Sequence, residues 1–178
     1  MQIDLISLAT VKINLGISSS EHDAAITAMI PVVSADVRRI LNTDFTTVLP
    51  ASVGTGTPTL SAVNDLSMGQ VVYNPDIPDD TYIISYDWNT ATYRLSANAT
   101  DDITWINPTV TIAQHSAISK MIWYKISKST TAAVNEKNVQ SQSIGPVSKT
   151  YAQNEINSQW NYPQMIIDDL GVPFQEVG

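Results

Sequence analysis

The chain has 178 residues, 43% of them hydrophobic, with 17 acidic side chains against 9 basic ones, a net charge of −8 and no cysteine. That length, with a mean hydropathy of −0.02, suits one medium domain or one domain with a small insertion and argues against wholesale disorder. The acidic balance disfavours a broad phosphate-gripping surface, and the lack of thiols excludes disulfides, thiolate zinc sites and a cysteine nucleophile.

The opening "MQIDLISLATVKINLG" has no basic n-region and no small-residue cleavage site, so it is expected to belong to the folded chain rather than to a signal peptide. No apolar run approaches the ~18 residues that span a bilayer. "SLATVKINLG" predicts a short helix, capped by Ser7, with Leu8, Val11 and Leu15 at helical spacing and Gly16 as a left-handed stop. "SSSEHDAAITAMIPVVSADVRRILN" predicts a longer one. Ser20 and Asp23 make a capping-box-like start, and Ile26, Ile30, Val33, Val37 and Ile40 or Leu41 share a face. Pro31 lacks the backbone donor, so a kink or a split near Ile30 is expected.

From Pro50 the composition shifts. "PASVGTGTPTL" reads as a linker. "TYIISY" and "TYRLS" read as strands joined by a tight turn at Asp87–Thr90, so residues 51–109 are expected to form a small curled β unit. Helix returns in "TVTIAQHSAISKMIWYKISKST". Ile118, Ile122 and Ile126 form one row and Ala113, Ala117, Met121 and Tyr124 its neighbour, a face suited to packing on the kinked helix. A polar loop follows at 130–138. "VQSQSIGPVSKTYAQ", 139–153, reads as a strand with little apolar surface, interrupted by Gly145-Pro146. A last short helix is predicted in "NYPQMIIDDLGVP", with Pro163 in its first turn and Gly171 and Pro173 past its end.

Charge is uneven. Residues 51–109 hold seven aspartates against Arg94 alone, whereas 115–153 hold Lys120, Lys125, Lys128, Lys137 and Lys149 against Glu136. Solvated surface explains both; the sharper reading is that opposite potentials meet when copies assemble. Catalytic patterns are missing: His22 and His115 stand without partners at metal or general-base spacing, and there is no phosphate loop or nucleophile elbow. Asp79-Asp80 and Asp101-Asp102 could offer oxygens to calcium, but ordinary turn chemistry explains them. The Asn98-Ala99-Thr100 sequon is a pattern only. Trp88 and Trp160 fall in polar segments and read as contact residues, and Trp105 and Trp123, flanked by apolar neighbours, as core.

Leu8, Val11, Lys12, Leu15, Gly16, Ile17, Asp23 and Ile30 form a pattern that resembles the opening of tailed-bacteriophage head–tail connector proteins, also called adaptor or head-completion proteins. The third helix and "SIGPVSKTYA" are similar to that family as well, so the likeness covers about 5–45 and 110–152. The segment "IPDDTYIISYD…TYRLSANAT" resembles small β modules of phage structural proteins. The resemblance implies an α+β chain: a small helical connector core of three to four helices plus a late strand, built from 1–50 and 110–178, with 51–109 inserted as a β unit. It implies no catalysis and no cofactor. The expected role is an oligomeric ring, typically twelve-fold, at the virion neck, assembled in the host cytoplasm beneath the portal protein. That ring would receive a tail, stopper or terminator protein and pass genomic DNA without specific binding or any membrane contact. Val147, Lys149, Tyr151, Lys120, Lys125 and Lys128 are then candidate subunit contacts, and Trp160, Tyr162 and Phe174 candidate docking residues for the portal or a neighbour.

Three alternatives follow from the same residues. A virion-associated carbohydrate-binding or receptor-contact module would use Trp88 and Tyr86 as platforms. A cell-wall hydrolase would use aspartates, yet all the Asp pairs sit in polar turns rather than in a pocket that raises a carboxyl pKa. A helical scaffold protein of other context is the third.

Overall fold

The computed structural model describes residues 3–62, 66–131, 141–144, 147–150, 156–157 and 160–171, with backbone alone for 129–131 and for the short strands at 141–157. Helix α1, Leu8–Leu15, starts where the Ser7 hydroxyl accepts from the Thr10 N–H, and ends where Gly16 turns left-handed at φ 67°. Helix α2, Asp23–Leu41, runs unbroken through Pro31, so the expected split does not occur; the ring of Pro31 faces solvent. Its N-cap is His22, without a side-chain cap bond, rather than Ser20. Asp23 is engaged elsewhere, by Lys12 Nζ at 2.7 Å.

The largest correction concerns the middle of the chain. Its β unit, expected as a small curled sheet, is a six-stranded antiparallel sheet that nearly closes into a barrel. The strands are β1 (Leu49–Val53), β2 (Thr59–Ala62), β3 (Gln70–Tyr73), β4 (Ile83–Asp87), β5 (Thr92–Leu95) and β6 (Ile103–Thr111), in the order β3-β6-β1-β2-β5-β4. The edges β3 and β4 meet through the Val71–Tyr82 bridge. Gly69 N–H donates to the Ile83 carbonyl at 2.8 Å and Val72 N–H to that of Thr81 at 2.9 Å. Register shifts in the β1–β6, β3–β6 and β4–β5 ladders supply the curl that closure needs. The expected linker is β1, a turn at Gly54–Thr57, and β2. Its Gly-Thr-Pro content belongs to the turn, and Val53 and Leu60 point into the barrel core with Ile83, Leu95, Ile103 and Ile106.

Helix α3, Ile112–Thr131, continues β6 with no intervening loop. Its Ala117, Ile118, Met121 and Ile122 pack with Val11, Ile26, Ile30, Val33 and Val37 in a second core, which also takes in Tyr162, Ile166 and Leu170. The late strand is also corrected. It is two strands, β7 (Ser141–Ile144) and β8 (Val147–Thr150), paired antiparallel with each other from Ser141–Thr150 to Ile144–Val147. Each strand therefore meets the other along one edge. Two-residue strands β9 (Ile156–Asn157) and β10 (Tyr162–Pro163) pair next, and α4, Gln164–Asp169, follows Pro163 directly. The α+β class stands; a helical core completed by a late strand does not.

Candidate functional site

Residues 3–7 run as a strap between the helices and the barrel and lead into α1. Three side chains hold its backbone. Arg38 donates to the Ile3 carbonyl, the Ser34 hydroxyl accepts from Leu5 N–H at 3.0 Å, and Asp80 accepts from Ser7 N–H at 3.1 and 3.3 Å. Two of these come from α2 and the third from the turn between β3 and β4, so the strap joins both cores. Burial lowers the Arg38 pKa from its ordinary value, opposed by the charges of Asp4 and Asp44. Beside the strap lies an open cleft of about 410 Å³, walled by Leu5, Ser7, Thr27, Val72, Asp79 and Asp80 among others.

His115 sits behind this region, only 3% exposed. Its Nε2 is buried without a hydrogen-bond partner among the described residues and lies 3.9 Å from Asp80 Oδ1, too far for a hydrogen bond. Burial pushes the imidazole pKa down, opposed by Asp80 and by the Leu5 backbone. Asp80 holds a left-handed conformation, φ 58°, which costs a non-glycine residue energy and is maintained here by its bonds to Ser7. Although Ser7, His115 and Asp80 are neighbours, they do not form a nucleophilic triad: Asp80 binds the Ser7 backbone, and the Ser7 hydroxyl caps α1.

The predicted contact residues converge elsewhere. Asp36, on α2, accepts from Tyr162 Oη at 2.6 Å and is ion-paired with Lys125 at 3.0 Å and Arg39 at 3.1 Å. The Arg39 guanidinium lies 5.3 Å from the Trp160 ring centroid, Lys125 sits 5.1 Å over Tyr162, and Lys128 sits 5.1 Å over Tyr124. Lys120 pairs with Asp169 at 2.7 Å. Thus Lys120, Lys125, Lys128, Trp160 and Tyr162 come together, but in contacts within the chain. Tyr162 is fully buried, and burial, reinforced by the Asp36 carboxylate, pushes its hydroxyl pKa up. Val147 and Lys149 lie on β8; Tyr151 and Phe174 lie outside the described residues.

Trp88 stands 85% exposed beyond β4, its ring edge-on to Tyr86 with centroids 4.7 Å apart. Trp105 is half-buried and Trp123 is exposed beside His22, so neither is the core residue its neighbours suggested. Asp102 accepts from the Thr55 N–H and hydroxyl at 2.6 and 2.8 Å, bonds that lower its pKa. No group of three or more metal-ligating side chains occurs among the described residues, and no helix there is long and apolar enough to cross a membrane. Sequence reasoning missed Asp36, Ser34 and Arg38. A polar Ser34 and Arg38 flanking Val37 on an otherwise apolar face was the available signal. Comparison with protein-family models, curated proteins and solved structures gives no match to this chain.

Proposed function

We propose that the chain is a non-catalytic structural protein of a virion, forming an oligomeric ring beneath the portal that joins head to tail and extends the DNA channel. One observation carries most of the support: the residues behind the connector resemblance form a single packed unit. Lys12 and Asp23 close the α1–α2 corner at 2.7 Å, Gly16 makes its left-handed turn, and Val11 and Ile30 are buried together in the helical core. The net charge of −8 suits a conduit that DNA crosses without sticking.

Subunit contact falls to the β7–β8 hairpin, because Lys120 and Lys125 are ion-paired within the chain and Lys128 lies over its own Tyr124. Portal docking falls to the half-buried Trp160 and to Phe174, since Tyr162 belongs to the core. Immunogold electron microscopy on purified particles from the source culture tests the reading. Label at the neck between head and tail is expected; label elsewhere, or on no particle, sinks it.

A second reading, glycan contact, rests on Trp88, whose exposed ring is held by Tyr86 in the way a stacking platform requires. A glycan array probed with the full chain and with Trp88→Ala discriminates. Saturable binding lost in the variant favours the glycan module, and no binding removes it.

A further inference from the structure

We propose that the strap, His115 and Asp80 form an acid-operated latch: a proton taken up at Nε2 of His115 draws the Asp80 carboxylate off the Ser7 N–H and frees the strap from the barrel. The inference goes beyond the connector reading and does not rest on it.

The three tethers of the strap are unequal. Arg38 and Ser34 both belong to α2, so the Ile3 and Leu5 tethers hold it to the helices. Leu5 and Ile6 are also buried in the helical core. The third tether, from Asp80 to the Ser7 N–H, is the one that reaches the barrel. Its distances of 3.1 and 3.3 Å are long for a charged acceptor, and Asp80 makes both bonds from a left-handed backbone, φ 58°.

One proton reverses how the ring and this carboxylate face each other. His115 is hydrogen-bonded to the Leu5 backbone, a bond that favours the charged ring, so the ring is the donor. In the neutral ring the other nitrogen is then a lone pair. That nitrogen is Nε2, buried without a hydrogen-bond partner among the described residues and 3.9 Å from Asp80 Oδ1. Two acceptors thus confront each other across a gap too wide for a hydrogen bond. A proton on Nε2 makes it a donor, and an imidazolium–carboxylate bond closes to about 2.8 Å. Closing the gap moves the carboxylate on which both Ser7 bonds end. The unlatched form therefore holds the proton more tightly than the latched one, and acid shifts the population towards it.

Other charges on the surrounding elements are engaged elsewhere or face water. On α2, Arg38 binds the strap and feels Asp4 and Asp44; on α1, Lys12 pairs with Asp23. Lys120 of α3 pairs with Asp169 of α4, and Asp79, beside Asp80, is exposed. Burial opposes the charged ring, so the latch should open below the ordinary histidine range.

The test follows the full chain by NMR from pH 7.5 to 5, reading the His115 ring carbons for protonation and the Ser7 amide proton for the latch. The Ser7 signal is expected to move upfield, as an amide does on losing a carboxylate acceptor, with the same midpoint as the ring. One pH unit below that midpoint, unlatched molecules should outnumber latched ones about tenfold, because one proton is taken up. The Val33 and Val37 amides of α2 should stay in place. In His115→Gln the Ser7 signal should keep its neutral position down to pH 5. Asp80→Asn, whose short amide tolerates the left-handed backbone, should leave the ring titrating and the Ser7 signal no longer following it. Four results overturn the proposal: a Ser7 signal that stays fixed while the ring titrates, one that moves downfield, the same movement in His115→Gln, or loss of all native amides in step with the ring.

Discussion

The Tyr162 hydroxyl donates to the Asp36 carboxylate at 2.6 Å, across 126 positions of sequence. The same carboxylate receives Lys125 from α3 and Arg39 from α2, so one acidic side chain gathers three donors from three elements. Asp36→Ala leaves a buried hydroxyl without its acceptor and is expected to cost about 2–3 kcal/mol. Tyr162→Phe keeps the ring and should cost about 1 kcal/mol. In urea unfolding the double variant should lose less than the sum of the two, because both delete the same bond. Simple additivity would mean that the contact is not energetically coupled.

The two cores are expected to unfold together. β6 passes into α3 at Thr111–Ile112 with no loop, and the strap bonds of Ser7 and Leu5 tie barrel to helices. Leu60→Ala in the barrel and Ile118→Ala in the helical core each remove a fully buried side chain, at about 2–5 kcal/mol. Both should lower one shared thermal transition. Two transitions, each answering to one variant, would show instead that residues 51–109 melt as a separate unit.

Stability should fall as the medium is acidified through the ordinary histidine range. The pKa of His115 is lowered in the folded chain, mainly by burial. Below its unfolded value the unfolded chain therefore binds more protons, and stability is lost as pH drops from about 6.5 towards the folded pKa. His115→Gln should flatten that slope between pH 7.5 and 5, read as urea midpoints at each pH. An unchanged slope would mean that Asp80, the carboxylate nearest the ring, compensates for burial in full. Asp102, whose pKa is lowered by its bonds to Thr55, acts only further down, near and below the ordinary carboxylate range.

Val147→Pro and Lys149→Pro break the ladder that pairs β8 with β7. Because β8 pairs with no strand of either core among the described residues, the melting temperature should move by the equivalent of less than about 0.5 kcal/mol. On the ring proposal, self-assembly, followed by light scattering with and without a portal protein, should be lost. Assembly that survives both substitutions, and Tyr151→Pro as well, would remove the hairpin from the interface.

Much of the local structure was legible in the chain itself. Ser7 and Gly16 bound α1 because a hydroxyl cap and a left-handed glycine act within one turn of the backbone. The row Ile26, Ile30, Val33, Val37 marked the buried face of α2 because helical period requires no partner to be visible. The exposed Trp88 and the turn after Asp87 were likewise local. What failed was non-local. The segment at 50–60 looked like a linker because its turn residues outnumber its apolar ones. Only the pairings of β1 with β6 and of β2 with β5, between residues more than thirty positions apart, make Val53 and Leu60 core.

The sequence by itself determined the caps of α1, the helical faces, the turn after Asp87 and an acidic balance, all set by composition or by interactions within a few residues. Tertiary structure alone decided that the strands curl into a nearly closed barrel, that 139–153 contains a hairpin, that Tyr162 is core, and that Asp36, Asp80 and His115 matter. The physical reason is that strand pairing and buried polar contacts depend on which distant groups meet. A single carboxylate reads the same in sequence whether it faces water or three donors.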